Sequence, residues 1–476
     1  MSGKRVIIIG GGASGVILAA HLLRLPDARL QVTIVEPRPE IGRGIAYSTA
    51  EPDHILNTRA GSMSAYGEDT EHFWHWLLSS GASSDMRCSD PFCFVPRSLF
   101  GDYLGDLVKP WLAPGGDGRL TLVCGEATGV RGTATGVVVD LADGTSHLGH
   151  AAVLATGHTL PGFAAGSPYV SAWSTPAEAG IGKDDPLLVL GTGLSMVDTV
   201  IQLVNEGHRG KITALSRRGQ LPRVHRRNTP LKIDAADVPF GTEISYLVRW
   251  FRKTAEWATA RGGDWRDVVD GIRPHTSRLW QSLSPAARRR FLRHARPWWE
   301  AHRHRLPPES DVRLRAAISN GLLDIVCGRF IDFEATPEGA IVRFRRKGSS
   351  ATDSIAVAKV VDCTGILRDP QQESRGLIAA LLADGTARLD PLRIGIDVDE
   401  TCAVIGRSGN VASRIFAIGP VTRPRFWEVT AVPDIRVQCA ALATRISALL
   451  DAPRATTARR PPPPGRMPDE VSQNVD

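Results

Sequence analysis

Two short, wholly apolar runs are each followed at once by a glycine-rich turn and a stretch with helical spacing. Val6-Ile7-Ile8-Ile9 leads into Gly10-Gly11-Gly12-Ala13-Ser14-Gly15, and Ala13 to Arg24 then reads as a helix. Leu187-Leu188-Val189-Leu190, in a strand predicted from Asp185, leads into Gly191-Thr192-Gly193-Leu194-Ser195-Met196 about 180 residues later, with Ser195 to Glu206 helical. Unbroken apolar runs rich in β-branched residues predict strands buried on both faces. A second strand follows each helix. Gln31 to Val35 ends in Glu36, and Lys211 to Leu215 ends in Ser216-Arg217-Arg218-Gly219. The pattern predicts an α/β chain with two Rossmann-like dinucleotide-binding domains.

A second echo sets the domain order. Leu120 to Gly157 reads as strand, hairpin, strand, then Ala155-Thr156-Gly157; Leu323 to Gly365 repeats this and ends in Cys363-Thr364-Gly365. Such Thr-Gly turns mark chain crossings between nucleotide domains. The expected division is a first domain from residues 1–157, an inserted second domain from 158–365, and the rest of the first domain from 366–451. Within the insertion, 241–305 is a helical excursion, with helices expected over Trp250 to Arg261, Trp265 to Ile272 and Pro285 to Glu300, placed to cap the cofactor cleft. The proline-rich tail 452–476 is expected to be disordered.

The turns carry chemistry. Gly10 permits a tight turn, Gly12 lets backbone approach a pyrophosphate, and Gly15 allows close strand–helix packing, while Ala13 and Ser14 open the helix whose N–H groups face the phosphates. Glu36 lies 21 residues beyond Gly15, the spacing of an acid that holds ribose hydroxyls. That combination points to FAD. In the second motif Gly191, Gly193, Leu194 and Ser195 keep the pattern, and Met196 replaces the third glycine. Where a ribose-binding acid would sit, Ser216, Arg217 and Arg218 offer donors to a 2′-phosphate, which favours NADPH over NADH. The alternative is a relic domain whose basic turn is merely solvated.

Composition narrows the class. The chain has 476 residues, 42% hydrophobic and 22% charged, ordinary for a globular protein. No apolar stretch reaches the roughly 18 residues of a membrane span, so a cytoplasmic enzyme without membrane attachment is expected. The seven cysteines are scattered and suggest neither a disulfide framework nor a zinc site. Cys88 and Cys93 lie across the turn-like Ser89-Asp90-Pro91, too far past the first glycine turn for a redox pair beside a flavin. His302 and His304 alternate among arginines as in a strand, a poor metal site, and no metal is expected. The net charge of +7 comes mostly from arginine, clustered from Arg273 to Arg315 among Trp280, Trp298 and Trp299. An anion pocket built from Arg273, His275, Arg303 and His304 competes there with a solvated helix surface; nucleic acid is not expected.

Three segments are expected around the flavin ring. One is Gly42-Arg43-Gly44-Ile45-Ala46-Tyr47. The next is His54-Ile55-Leu56-Asn57-Thr58, continuing to Met63-Ser64-Ala65-Tyr66. The last is Ile415 to Gly419-Pro420, followed by Trp427 to Arg436, with a helix starting near Pro433 aimed at the ring. Thr156, Gly157 and Gly365 supply the crossings. These stretches, with Phe94-Val95-Pro96-Arg97-Ser98-Leu99-Phe100-Gly101-Asp102-Tyr103-Leu104, resemble bacterial FAD/NAD(P)-binding proteins allied to class B flavin monooxygenases: flavin-containing monooxygenases, amino-acid N-hydroxylases and Baeyer–Villiger enzymes. The resemblance runs from Val6 to Leu450. It implies that NADPH reduces FAD, that O2 forms a C4a-peroxyflavin, and that oxygen passes to an amine or sulfur of a small molecule. It implies further that Asn57 sits over the flavin beside the nicotinamide and acts as the catalytic residue. The chain departs from the family in lacking the F-x-G-x-x-x-H signature and in having Gly419-Pro420 for Gly-Asp. An FAD-dependent dehydrogenase passing electrons to a quinone or protein acceptor is the alternative, and a cofactor-loaded binding protein with little turnover is a third reading.

Overall fold

The computed structural model describes residues 3–82, 88–158, 162–164, 166–365, 369–373 and 376–452. The tail expected to be disordered lies outside them beyond Ala452. The described chain is mixed α/β. The apolar runs become strands β1 (Lys4–Ile9) and β3 (Leu187–Leu190), each the interior of a mainly parallel sheet. Each glycine turn opens a helix, α1 (Ala13–Leu23) and α2 (Leu194–Asn205). The strands that follow are β2 (Leu30–Glu36) and β4 (Ile212–Ser216).

The first sheet has six strands. From edge to edge they are Ala403–Ile405, Val411–Ala417, Ala151–Leu154, β1, β2 and Leu120–Cys124. Strands from both ends of the chain therefore share one sheet. The second sheet has seven strands, all between Tyr169 and Asp362. Registers in the two sheets correspond. Ile9 pairs with Val35 and Leu154, and Leu190 pairs with Leu215 and Asp362. A three-stranded antiparallel sheet, Ala127–Gly132, Val137–Leu141 and Ser146–Gly149, packs beside the first.

α1 is apolar nearly all round, and the fold explains why. The long helix α3 (Val432–Asp451) and the helix Arg97–Val108 both cover it, so Val16 to Ala20 are fully buried. The excursion folds differently in detail from the sequence expectation. Its helices are Ile244–Thr259, Trp265–Gly271, Thr276–Ser282, Pro285–Arg290 and Arg296–Arg303, and a π-turn at Phe291–Ala295 interrupts the expected continuous helix. The strand-like alternation read into His302 and His304 is overturned. His302 lies within a helix, its ring Nδ1 2.8 Å from the carbonyl oxygen of Trp298. Cys88 and Cys93 are bonded to each other as a disulfide, which the scattered spacing had not suggested. The short turn between them brings their Cα atoms to 5.5 Å, within the range a disulfide spans.

Candidate active site

The two glycine turns have nearly the same geometry. Gly10 and Gly191 each have φ of +111°, where a side chain is strained. A Cβ at Gly10 would lie 2.3 Å from the Ala155 carbonyl oxygen, and one at Gly191 would lie 2.3 Å from that of Cys363. Each turn is thus pressed against the start of its Thr-Gly crossing. Gly15 packs still more tightly, with a Cβ there falling 2.0 Å from the Gly10 oxygen. Gly12 packs against Gly44, where a Cβ would lie 3.4 Å from the Gly44 Cα, and Gly193 has open space around it. These cradles fit a dinucleotide at each turn.

Behind the first turn, Glu36 is 6% exposed and accepts from the Gly11 amide at 2.7 Å and from Arg38 Nε at 2.8 Å. Behind the second, Ser216 holds the corresponding position one residue past Leu215. Its hydroxyl pairs with Thr192 Oγ1 at 2.9 Å. Arg217 follows, exposed. Arg218 donates from Nη2 to the His294 carbonyl at 2.9 Å, so one arginine is tethered to the excursion and the other is not.

A cavity of about 740 Å³ runs between the domains. The first domain contributes Ile45, Ala46, Tyr47, Asn57, Met63 and Thr430 to Val432 at the start of α3; the second contributes His158, Gly191 to Ser195, Ser216 to Arg218, Arg329 and Gly365. The excursion closes one end with Arg296, Glu300, Arg303 and His304. Three histidines around this boundary are held neutral. Burial pushes His158 down to about 3, with Arg423 adding to the effect, and His304 to about 4. Burial likewise pushes His225 down to about 4. With its proton on Nε2, neutral His225 donates to the Asn57 carbonyl at 3.0 Å and fixes that backbone from the second domain. Arg97 reaches across the same boundary to Asp198 at 2.6 Å.

Residues 7–159 match the family model described as FAD-NAD(P)-binding. The first part of the chain is a FAD–NAD(P)-binding domain. No curated protein matches the sequence. Solved structures match over nearly the whole chain. An ornithine N-hydroxylase from Kutzneria sp. 744, in a structure with reduced FAD, NADP+ and L-ornithine, is 16% identical, with TM-score 0.63 over 94% of this chain and 99% of that one. An L-lysine 6-monooxygenase from Pseudomonas syringae is 18% identical, with TM-score 0.62 over 93% and 99%. A FAD-bound cadaverine monooxygenase from Erwinia amylovora is 14% identical, with TM-score 0.60 over 97% and 99%. At such identities the likeness is one of fold. That fold is the one the sequence resemblance implied.

Of the residues singled out from sequence, Asn57, Met63, Gly191, Gly193, Leu194, Ser195, Ser216, Arg217, Arg218, Gly365, Arg303 and His304 line the cavity. Gly10, Gly12, Ala13, Ser14, Gly15 and Glu36 gather at the first turn of the FAD-binding domain, beyond the cavity. Gly44 packs on Gly12, and Gly419 comes so close to Ser14 that a Cβ would lie 2.3 Å from its hydroxyl. Gly42 has φ of +82° and backs onto Leu104, while Arg43 pairs with Asp102. Thr156 and Gly157 lead to the cavity residue His158, Pro433 follows the cavity residue Val432 in α3, and Pro420 lies in the short turn Gly419–Thr422.

Three residues fall elsewhere. Trp427 stacks on Trp280 at 4.7 Å, inside the excursion's core. Arg273 pairs with Asp434 at 3.0 Å, and His275 Nε2 lies 3.0 Å from the Ile233 carbonyl. Neither of these two lines the cavity. Sequence reasoning missed Arg296, Glu300, Arg329 and Arg423, all of which do. Arg423 lies between Thr422 and Pro424 just past Gly419-Pro420, and an arginine between two segments expected at the flavin was the signal available.

Among the described residues no group of histidine, cysteine or acidic side chains could hold a metal, and no helix is long and apolar enough to cross a membrane.

Proposed function

We propose that this chain is an NADPH-dependent FAD monooxygenase that oxygenates an amine nitrogen or sulfur of a small, anionic molecule. The observation that carries this reading is the shared cavity. Asn57 and the start of α3 meet the second glycine turn within one cavity, the arrangement needed for hydride to pass from a nicotinamide to a flavin. Bound FAD would supply the electron transfer and the activation of O2. The chain's residues supply the rest. Gly10 to Gly15 hold the pyrophosphate, and Glu36 holds the adenosine ribose. Arg217, with Arg329 also on the cavity wall, would read the 2′-phosphate. The N-terminus of α3 favours negative charge on the reduced ring. Asn57, its carbonyl fixed by His225, presents its amide to the reacting centre. The neutral histidines and the excursion keep the space poor in mobile protons and water.

The test is stoichiometric. The FAD-loaded protein, given NADPH, O2 and a panel of amines and thioethers, should consume NADPH and O2 in step with products heavier by one oxygen atom. Asn57→Ala should keep FAD and divert turnover to hydrogen peroxide. Turnover that proceeds anaerobically with a quinone, and no oxygenated product from any panel member, would replace this reading with a dehydrogenase.

A further inference from the structure

The excursion's end of the cavity has an unbalanced charge. Arg303 is 8% exposed and Arg423 is 6% exposed. Arg303 Nε lies 3.2 Å from Glu428 Oε2 without hydrogen-bond alignment, since Glu428 is turned to accept from Trp299 Nε1 at 2.8 Å. Arg423 stacks on the Trp427 ring at 4.3 Å, and its Nη2 stands 3.6 Å from Glu300. Arg296 Nε is also 3.6 Å from Glu300. No acceptor among the described residues hydrogen-bonds Arg303 Nε or Nη2, Arg423 Nε or Arg296 Nε.

Burying a guanidinium without acceptors is costly, so such a group marks a place where an anion completes the structure. Three arginines against two carboxylates leave one positive charge in excess. His158 and His304, neutral here, do not alter that count at neutral pH. Arg97 is offset by Asp198, Arg217 and Arg329 come from the second domain's sheet side, and Arg218, which reaches the excursion through the His294 carbonyl, adds to the positive excess.

We infer that Arg303 and Arg423 anchor the carboxylate of an organic monoanion whose other end is an uncharged nucleophile. A diamine such as cadaverine would add positive charge where there is already an excess. The inference rests on the proposed function only in taking this cavity as the substrate's.

The experiment uses the FAD-loaded full chain without NADPH or O2. Two probes of equal length, methylthiopropanoate and methylthiopropylamine, are titrated against the flavin spectrum. The acid should bind at least about tenfold more tightly, the size expected for hydrogen bonds to a charged group. Arg303→Gln and Arg423→Gln should each weaken the acid about tenfold and leave the amine no weaker. Glu428→Gln, which removes an internal counter-charge while keeping an acceptor for Trp299, should tighten the acid. That variant and the native probe pair decide the matter if either arginine variant fails to fold. Absence of acid binding, an amine bound as tightly as the acid, or unchanged affinities in the variants overturns the inference. Because no turnover is involved, a failure of oxygenation would count against the monooxygenase reading alone.

Discussion

Gly10 and Gly191 share a φ of +111°, and at each a Cβ would lie 2.3 Å from a carbonyl oxygen. What lies around the two turns differs. In the FAD-binding domain Gly15 lets α1 close onto the turn, α3 and the helix Arg97–Val108 seal α1 in, and a buried carboxylate, Glu36, stands behind. In the second domain the fully buried Met196 takes the third glycine's position near the start of α2. Ser216 replaces the acid there, and the exposed Arg217 follows it. We propose that the first surroundings suit a cofactor held through many turnovers and the second a nucleotide that exchanges, the difference resting on the side chain at one helix position and the polarity of one strand end.

The contrast is broken most severely at Gly15. Gly15→Val puts a branched Cβ against the Gly10 oxygen, where overlap at 2.0 Å cannot be relieved by any rotamer. The variant should be recovered without FAD, read as flavin absorbance per protein, and should melt well below the native protein. A yellow, stable variant would mean that α1 tolerates a side chain where α2 carries Met196, and the difference between the domains would lose its basis.

Next in size is the reading of the nicotinamide cofactor. Changing Arg217 and Arg218 together to alanine should raise the apparent constant for NADPH in anaerobic flavin reduction by about a hundredfold, from two charge-assisted contacts, and leave NADH nearly unchanged. Arg218 alone should matter less, since one of its donors is already engaged with His294. Equal loss with both nucleotides would show that the pair serves the excursion and not the phosphate.

Both turns were legible in the sequence because each is local. Strand, glycines and helix follow within twenty residues, and period and turn chemistry suffice to read them. The excursion was legible as helical but not in its divisions, because the π-turn at Phe291–Ala295 leaves the apolar spacing almost unbroken. The charged end of the cavity was only half legible. Arg303 was named, but its counter-charge Glu428 and its neighbour Arg423 come from more than a hundred residues further on. Arg273 looked equivalent to Arg303 in sequence, yet Asp434, still more remote, pairs with it. Composition marks where arginines cluster, and only the fold decides which of them are already paired.

The smallest of these effects falls on Glu36 and carries the most discrimination. Its carboxylate accepts from the Gly11 amide, so it could shape the turn, bind ribose, or do both. Glu36→Ala should weaken FAD by about 1.5–3 kcal/mol if a charged acceptor for ribose hydroxyls is lost. Glu36→Gln, which keeps a carbonyl acceptor for the Gly11 amide, should spare the apoprotein's melting temperature while still weakening FAD. Both affinities would come from titrating apoprotein with FAD and following the quenching of flavin fluorescence. If both variants lower the melting temperature of the apoprotein and neither changes the affinity for FAD, Glu36 is a brace for the turn. The acid at the end of β2 would then no longer separate the first nucleotide site from the second, and the difference between them would rest on Gly15 and Arg217 alone.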